Sequence, residues 1–229
     1  MKRITILFAM VLPVVLVFGQ GSRLKQIKAA NVFDVKSGKI VYKLEGTTKG
    51  TRTLIWDDYG RLQYDYKVTV TKIMGMSNSE ENLSIRTKEW MYSIDLEAKT
   101  GSKMKVDDAL AMTDAMTAGY SDEQLQQTGE EIKKQFDAKD VGTGVVLGHT
   151  CNIMQIEKLK SKVWTYKKIT LKSEMAMGGL MGSSTEEATS MEENITVPAS
   201  TFQVPAGIEI QDASKMMEGM PGMDDEEDE

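Results

Sequence analysis

Cysteine and histidine are nearly absent: the chain of 229 residues contains one of each, Cys151 and His149. A lone cysteine excludes an intramolecular disulfide, so the fold must be held together by a hydrophobic core. A lone histidine leaves one place for a Ser-His-acid or Cys-His pair, and no nucleophile motif or orienting acid stands near it. We expect a buried Cys151, with a reactive or dimerising thiol as the alternative, and a structural His149. No catalytic residue is predicted, and we expect the chain not to be an enzyme.

Long apolar runs are missing from the chain after residue 18. Before that point, Lys2 and Arg3 precede an apolar run that ends next to the small residue Gly19. This is the pattern of a secretory signal, and the run is too short to span a bilayer comfortably. We expect residues 1–19 to be a cleaved signal peptide and the protein to be periplasmic. No cysteine stands directly after the cleavage point, so we expect no lipid anchor, and because no second long apolar run occurs we do not expect an integral membrane protein.

Excess positive charge is also lacking, since the formal net charge of the whole chain is −6. Six of the acidic residues form the terminal run Asp224–Glu229, so the acidity belongs mainly to a tail. A chain without a basic surface is not expected to bind nucleic acid. The sequence has no Cys/His metal-binding spacing and no glycine-rich phosphate loop, so no cofactor is predicted.

Alternation of apolar and polar residues predicts one β-rich domain over residues 20–212. About nine to eleven strands are expected, a number typical of one curved sheet or barrel. In the second half, strands are predicted at residues 144–147, 151–159, 162–177 (bent) and 185–197. The clearest strand presents five apolar side chains on one face, namely Leu62, Tyr64, Tyr66, Val68 and Val70. A later strand presents Trp90, Tyr92 and Ile94 together.

Helical periodicity replaces the alternation in the middle of the chain. Apolar residues recur at helical spacing from Val106 to Met116, and Ser121 with Gln124 fits a capping box that begins a second helix. We expect these two helices to cover the open face of the sheet. Methionine, glycine and acidic residues dominate residues 213–229, where we expect a disordered tail.

The apolar stripe on the predicted strands is core in the first instance, and it can also line a cavity for one apolar ligand. A packed interior and an open one both fit the pattern. The predicted ligand-cavity residues are Leu62, Tyr64, Tyr66, Val68, Val70, Trp90, Tyr92, Ile94 and Trp164.

Methionine is unusually frequent, with 17 residues. Thioethers are soft ligands that suit Cu(I), but they also line irregular apolar pockets, and composition bias explains some clusters. The clusters are Met74 and Met76, then Met175, Met177 and Met181, then Met216, Met217, Met220 and Met223.

Five runs of sequence, in this order along the chain, carry a resemblance to a known family. They are residues 55–60, 92–101, 147–151, 163–174 and 197–205. With them the chain resembles exported Gram-negative proteins of unknown function that are related to the periplasmic lipoprotein carriers of the LolA/LolB type. The resemblance implies a mainly β fold with an α-helical insertion. It further implies a strongly curved antiparallel sheet, or half-barrel, covered by short helices, with an apolar interior suited to acyl chains and no catalysis.

The function expected from the sequence is therefore that of a non-enzymatic periplasmic binding or carrier domain for an apolar ligand. The expected partners are a lipid or lipoprotein and an envelope protein. Two alternatives stay open, namely a periplasmic protein that handles Cu(I) with its methionine clusters, and an envelope protein–protein interaction module.

Overall fold

The fold is described by a computed structural model for residues 30–73, 75–117, 120–176 and 182–213. The predicted signal peptide and residues 214–229 of the predicted tail lie outside these residues. Within them, no helix is long and apolar enough to cross a membrane.

Twelve strands and two helices make up the described part of the chain. The first six strands are β1 (Gly38–Gly46), β2 (Thr48–Asp57), β3 (Leu62–Ile73), β4 (Met76–Arg86), β5 (Trp90–Asp95) and β6 (Thr100–Lys105). The helices α1 (Val106–Thr117) and α2 (Asp122–Phe136) follow. The remaining strands are β7 (Ala138–Val146), β8 (His149–Ile156), β9 (Ser161–Tyr166), β10 (Ile169–Ala176), β11 (Ser183–Glu193) and β12 (Glu209–Asp212).

All twelve strands belong to one sheet, in the order β12-β6-β5-β4-β3-β2-β1-β11-β10-β9-β8-β7. Every neighbouring pair is antiparallel except β12 with β6, which is parallel. The sheet is therefore mixed, which corrects the expectation of a wholly antiparallel one. The parallel pair arises because the chain leaves β11, crosses the sheet and reaches the β6 edge running in the same direction as β6.

Two hydrophobic cores lie on opposite faces of this sheet. Directly paired residues of neighbouring strands point to the same face, and alternate residues of one strand point to opposite faces. Leu54 is paired with Ile40 on one side and with Asp65 on the other. Leu54 and Ile40 are buried on this face, where β3 contributes the polar residue Asp65. The neighbours of Asp65 along β3, Tyr64 and Tyr66, point to the opposite face. The buried side of the sheet changes between β2 and β3.

The first core extends over seven strands, from β2 through β1, β11, β10, β9 and β8 to β7. Residues 30–37 lie over it: the rings of Phe33 and Trp56 meet edge to face with centroids 5.4 Å apart. The indole Nε1 of Trp56 donates a hydrogen bond of 3.0 Å to the carbonyl oxygen of Val35. A Cβ atom on Gly38 would lie 2.4 Å from the Trp56 ring, so only glycine fits there. The buried members are Phe33, Val35, Ile40, Tyr42, Leu54, Trp56, Val146, Cys151, Ile169, Leu171 and Ala188.

The second core lies on the other face, over β3 to β6, beneath residues 197–210. Phe202 is 7% exposed and sits in a 3-10 turn, Ala199–Phe202, between two prolines. Sequence patterns did not identify Phe202 as a core residue. The buried members are Leu83, Ile85, Ile94 and Phe202, with Leu62, Tyr64, Tyr66, Tyr92, Leu96, Val197, Val204, Ile208 and Ile210 packed against them.

Several local predictions are settled by the structure. The capping box at Ser121 and Gln124 is present. The predicted bent strand over residues 162–177 is wrong, because the chain turns at Lys167 and Lys168, both with positive φ, to separate β9 from β10. The helices do not cover the sheet as expected, since Ile132 of α2 remains 50% exposed and Phe136 37% exposed.

The presence of two separate cores makes a prediction for stability. Leu171→Ala in the first core and Leu83→Ala in the second should each lower the free energy of unfolding by about 2–5 kcal/mol. The exposed Leu159→Ala serves as the control and should change it by less than about 0.5 kcal/mol. Urea denaturation of the double variant should give the sum of the single effects within about 0.5 kcal/mol, because the sites share no neighbours. A large deviation from additivity would show that the two clusters form one core.

Candidate functional site

The strand β3 carries the stripe predicted from the sequence, and part of that stripe is packed in the second core. Tyr64 is paired with Ile85 and Tyr66 with Leu83 on the neighbouring strand β4. On β5, the predicted residues Tyr92 and Ile94 extend the same layer, since they are paired with Ile85 and Leu83. Leu62, Tyr64, Tyr66 and Tyr92 are half-buried, and Ile94 is buried.

The two predicted tryptophans lie on different faces. Trp90 shares the face of Tyr92, at the end of β5, where the Nζ atom of Lys103 lies 4.1 Å from its ring centroid. Trp164 packs instead against the first core, with the Nζ atom of Lys172 5.2 Å from its ring centroid. The structure thus brings eight of the nine predicted cavity residues onto one face and places Trp164 on the other.

The stripe on β3 is only half covered. Leu62, Tyr64 and Tyr66 pack with residues 197–210 in the second core, but the stripe continues beyond that cover through Val68 to Val70, which is 38% exposed. Thr51 of β2 is paired with Val68, and Lys49 with Val70. The uncovered end of the stripe therefore borders Thr51 and Lys49 on β2, and Thr51 is paired in turn with Lys43 of β1.

An open groove of about 480 Å³ lies on β1 and β2, directly beside the uncovered valines. None of the nine predicted residues lines it. The sequence did not predict this groove because the outward-facing residues of β1 are charged, with Val41 as the single apolar residue among them. That one valine in a charged face was the available signal. The lining consists of Val41, Tyr42, Lys43, Leu44, Glu45, Lys49, Gly50, Thr51 and Thr189.

One end of the groove carries charge. The Nζ atom of Lys43 lies 2.7 Å from Oε1 of Glu45, and both side chains are 60% exposed. The hydrogen bond and charge of Lys43 and, more weakly, the charge of Lys49 hold the pKa of the Glu45 carboxyl below its usual value. Two ammonium groups thus act on one carboxylate at this end.

A second polar group stands where the covered half of the stripe meets the uncovered half. The hydroxyl of Tyr66 donates a hydrogen bond of 2.5 Å to Oε1 of Glu81, and Glu81 is paired with Val68. This hydrogen bond to a carboxylate stabilises the neutral phenol and raises the pKa of Tyr66 to about 12.

The opposite face of β2 and β3 carries an ion-pair network. The Nε and Nη2 atoms of Arg52 each donate a hydrogen bond of 2.7 Å to Asp65, and Nη1 donates one of 2.5 Å to Glu186. The guanidinium also lies 5.1 Å from the ring centroid of Tyr42, and burial raises the pKa of that tyrosine. All these groups are paired with one another, so we assign them to holding β2, β3 and β11 together.

Cys151 and His149 do not form a reactive pair. Cys151 is fully buried, as predicted, and burial raises the pKa of its thiol. His149 stacks on Tyr166 with ring centroids 4.4 Å apart, a contact typical of a structural histidine. A thiol with a raised pKa is a poor nucleophile.

Metal ligands are not gathered in the described residues, where no three His, Cys, Asp or Glu side chains come together. Of the predicted methionine clusters, Met76 and Met175 are described, and they are 71% and 36% exposed on separate strands. Met74, Met177, Met181 and the four methionines of the tail lie outside the described residues. A smaller cavity of about 390 Å³, with polar and apolar lining in similar amounts, lies between β8, β9, β10 and β11.

Comparisons with known proteins give only distant matches. No family model matches the chain, and no curated protein matches it in sequence. An uncharacterized conserved protein from Thermus thermophilus matches with a TM-score of 0.47 and 7% identity over 84% of this chain and 99% of its own. A chain of the Pseudomonas aeruginosa MucA/MucB complex matches with a TM-score of 0.44 and 11% identity over 83% of this chain and 64% of its own.

A third structure, a putative outer membrane lipoprotein-sorting protein domain from Vibrio parahaemolyticus, has a TM-score of 0.26 and 8% identity over 79% of this chain and 95% of its own. A lipoprotein-sorting domain is therefore among the solved structures that match. At TM-scores no higher than 0.47, the likeness carries no information about ligand or function.

The bond between Tyr66 and Glu81 makes a prediction for pH dependence. Ultraviolet titration of the seven tyrosines should show one that ionises near pH 12, and Glu81→Gln should move it towards its ordinary value of about 10. Because the folded pKa is raised, the stabilisation from this contact is complete below about pH 10 and lost as the pH rises towards 12. The neighbouring Glu80→Gln, on the opposite face, is the control. An unchanged titration in Glu81→Gln would show that the bond does not form in solution.

Proposed function

We propose that this protein is a non-enzymatic periplasmic binding or carrier domain that holds an apolar ligand, a lipid or lipoprotein acyl chain, along the uncovered half of the β3 stripe. The observation that carries the proposal is the division of this stripe. Its first half is packed under residues 197–210, while Val68 and Val70 lie beyond that cover and are paired with Thr51 and Lys49, which line the groove on β1 and β2.

The groove has the size and position that such a ligand needs. Its volume of about 480 Å³ lies within the range of about 300–1,000 Å³ usual for small-molecule sites. A chain laid over Val41, Thr51 and Val68 would remove apolar surface from water, which stabilises the complex by about 25 cal/mol per Å².

The floor of the site is built before the ligand arrives. Val68 and Val70 belong to β3, a central strand hydrogen-bonded on both sides to β2 and β4. Tyr66, next along the stripe, is fixed by its bond to Glu81. A rigid floor reduces the entropy cost of binding. The groups at hand are lysines, a carboxylate and hydroxyls.

A half-barrel shape is part of the proposal. The first core joins side chains from seven strands on a single face, and residues 30–37 are the described segment outside the sheet that is laid over it. Side chains from so many strands bury one another most directly when the sheet curves around them. The uncovered stripe then lies on the outer side of the curve at β3.

A role as an envelope interaction module is the second candidate, and one observation favours it. The edge strand β7 presents Val145, 70% exposed, and Val141, 46% exposed. Unpaired edge strands with apolar side chains are templates for pairing with another chain.

The proposal predicts that the protein without residues 1–19 binds a neutral apolar dye such as Nile red, with increased fluorescence. Val70→Asp should weaken this binding at least about tenfold, because a carboxylate would have to be desolvated against the ligand. The matched control is Val145→Asp, which places the same charge on the exposed edge strand and should leave the affinity unchanged. Equal affinity of both variants, or no binding by the unmodified protein, would overturn the proposed site.

A further inference from the structure

We infer that one end of the sheet, where α2, the turn between β8 and β9 and the last residues of β10 meet, is a contact site for the surface of a zwitterionic phospholipid membrane. The residues of this site do not line the groove on β1 and β2, so the inference goes beyond the proposed function and does not depend on it.

Backbone hydrogen bonds bring these three segments together. The helix α2 ends at Phe136, and the amide of Glu157 donates a hydrogen bond of 3.2 Å to the carbonyl oxygen of Asp137. Glu157 begins the 3-10 turn between β8 and β9. The carbonyl oxygen of Lys160, directly after this turn, accepts a hydrogen bond of 3.0 Å from the amide of Ala176 at the end of β10. The helix end, the turn and the strand end therefore form one continuous edge.

Four large apolar side chains are exposed on this edge. Ile132 and Phe136 share one face of α2, four residues apart, and are 50% and 37% exposed. Leu159 in the turn is 46% exposed, and Met175 in the last turn-side residues of β10 is 36% exposed. We call these four residues the apolar edge.

The exposed area of the apolar edge favours a membrane over another protein. At about 200 Å² for a whole large side chain, the four fractions leave on the order of 350 Å² exposed. Each partner of a standard protein–protein interface buries about 800 Å², so the apolar edge alone is too small for a stable dimer of two copies. A lipid surface needs no complementary shape, because apolar side chains enter the boundary between head groups and acyl chains singly.

The charges around the apolar edge are mixed and nearly balanced. Glu130 binds Lys133 at 2.7 Å, and Asp137 binds Lys139 at 2.9 Å. The lysines of the three segments and their flanks are Lys133, Lys134, Lys139, Lys158, Lys160 and Lys162. The carboxylates are those of Glu130, Glu131, Asp137, Glu157 and Glu174. Such a mixture complements a zwitterionic head group, which carries a phosphate and an ammonium, whereas attraction to an anionic surface needs a cluster of excess lysines and arginines.

Lysines also stand directly beside the apolar side chains. Lys158 and Lys160 flank Leu159, and Lys134 precedes Phe136 by two residues. A lysine lays its aliphatic stem along apolar surface and keeps its ammonium in the polar layer. When Leu159 enters the acyl boundary, its two neighbours can therefore reach the lipid phosphates.

Flotation with phosphatidylcholine and phosphatidylethanolamine vesicles tests the inference on the protein without residues 1–19. We expect the protein to float with the vesicles. The double variant Ile132→Asp and Leu159→Asp should lower the partition coefficient at least about tenfold, because two carboxylates would have to be desolvated. The matched control is Val145→Asp with Leu147→Asp, which adds the same charge at exposed positions of the opposite end of the β7–β8 hairpin and should float like the unmodified protein. Unchanged melting temperatures of both double variants check that they fold.

A fluorescent label gives a second readout that needs no disruptive substitution. Cys151 is fully buried, so Leu159→Cys can be labelled selectively with a polarity-sensitive maleimide dye. We expect its emission to shift to the blue on addition of the vesicles. The same dye on Val145→Cys should show no shift.

The outcomes that would overturn the inference are distinct from failure of the proposed function. Val70→Asp, which should weaken dye binding in the groove, should leave flotation unchanged, and its loss there would assign vesicle binding to the groove instead. Flotation that requires phosphatidylglycerol and disappears in about 0.5 M salt would replace the apolar contact by simple charge attraction. No flotation, together with a dimer in light scattering that the Ile132→Asp and Leu159→Asp variant abolishes, would show that the apolar edge binds a second copy.

Discussion

The pairing of β2 with β3 determines which way the apolar side chains of this sheet face. Paired residues share a face, so Leu54 and Trp56, buried in the first core, direct Asp65 and Gln63 of β3 to the same side. The tyrosines of β3 are left for the other side. One sheet therefore builds two cores, and neither half of it is apolar on both faces. The Arg52 network, which links β2 to Asp65 of β3, stabilises this register, and a slip of one residue would reverse every side chain.

The same register explains why part of the apolar stripe of β3 is left uncovered. The second core is covered by residues 197–210, which reach β3 at its first half and then turn back to form β12 beside β6. The cover ends before Val68 and Val70, whereas the alternation of apolar residues along β3 continues through both of them. On β2 and β1, the same face is formed by the outward residues of strands whose inward residues fill the first core. The groove lined by Lys43 and Lys49 lies on this outward face of β1 and β2.

The sequence predicted correctly those features that depend on residues close together along the chain. The alternation of β3, the capping box at Ser121 and the burial of Cys151 were all predictable, because each depends on neighbours along the chain. Long-range features were not: the parallel β12 and the burial of Phe202 depend on where the crossing segment lands. The turn at Lys167 and Lys168 escaped because two lysines with positive φ replace the usual glycine or asparagine. The buried face of the sheet could not be predicted from the sequence, because one face is buried in the first core and the opposite face in the second core.

The central position of β1 has a consequence for how the molecule assembles. Its two neighbours come from opposite ends of the chain: β2 follows at once, whereas β11 is synthesised far later, and the bond from Thr189 to Val41 spans 148 residues. Strands β1 to β6 can form a meander from local contacts alone, but closing such a long loop is slow. Without residues 183–210, the tyrosines of β3 are exposed to solvent and β1 is an unpaired edge strand. Residues 183–210 therefore complete both cores, since they contribute β11 to the first and Phe202 to the second.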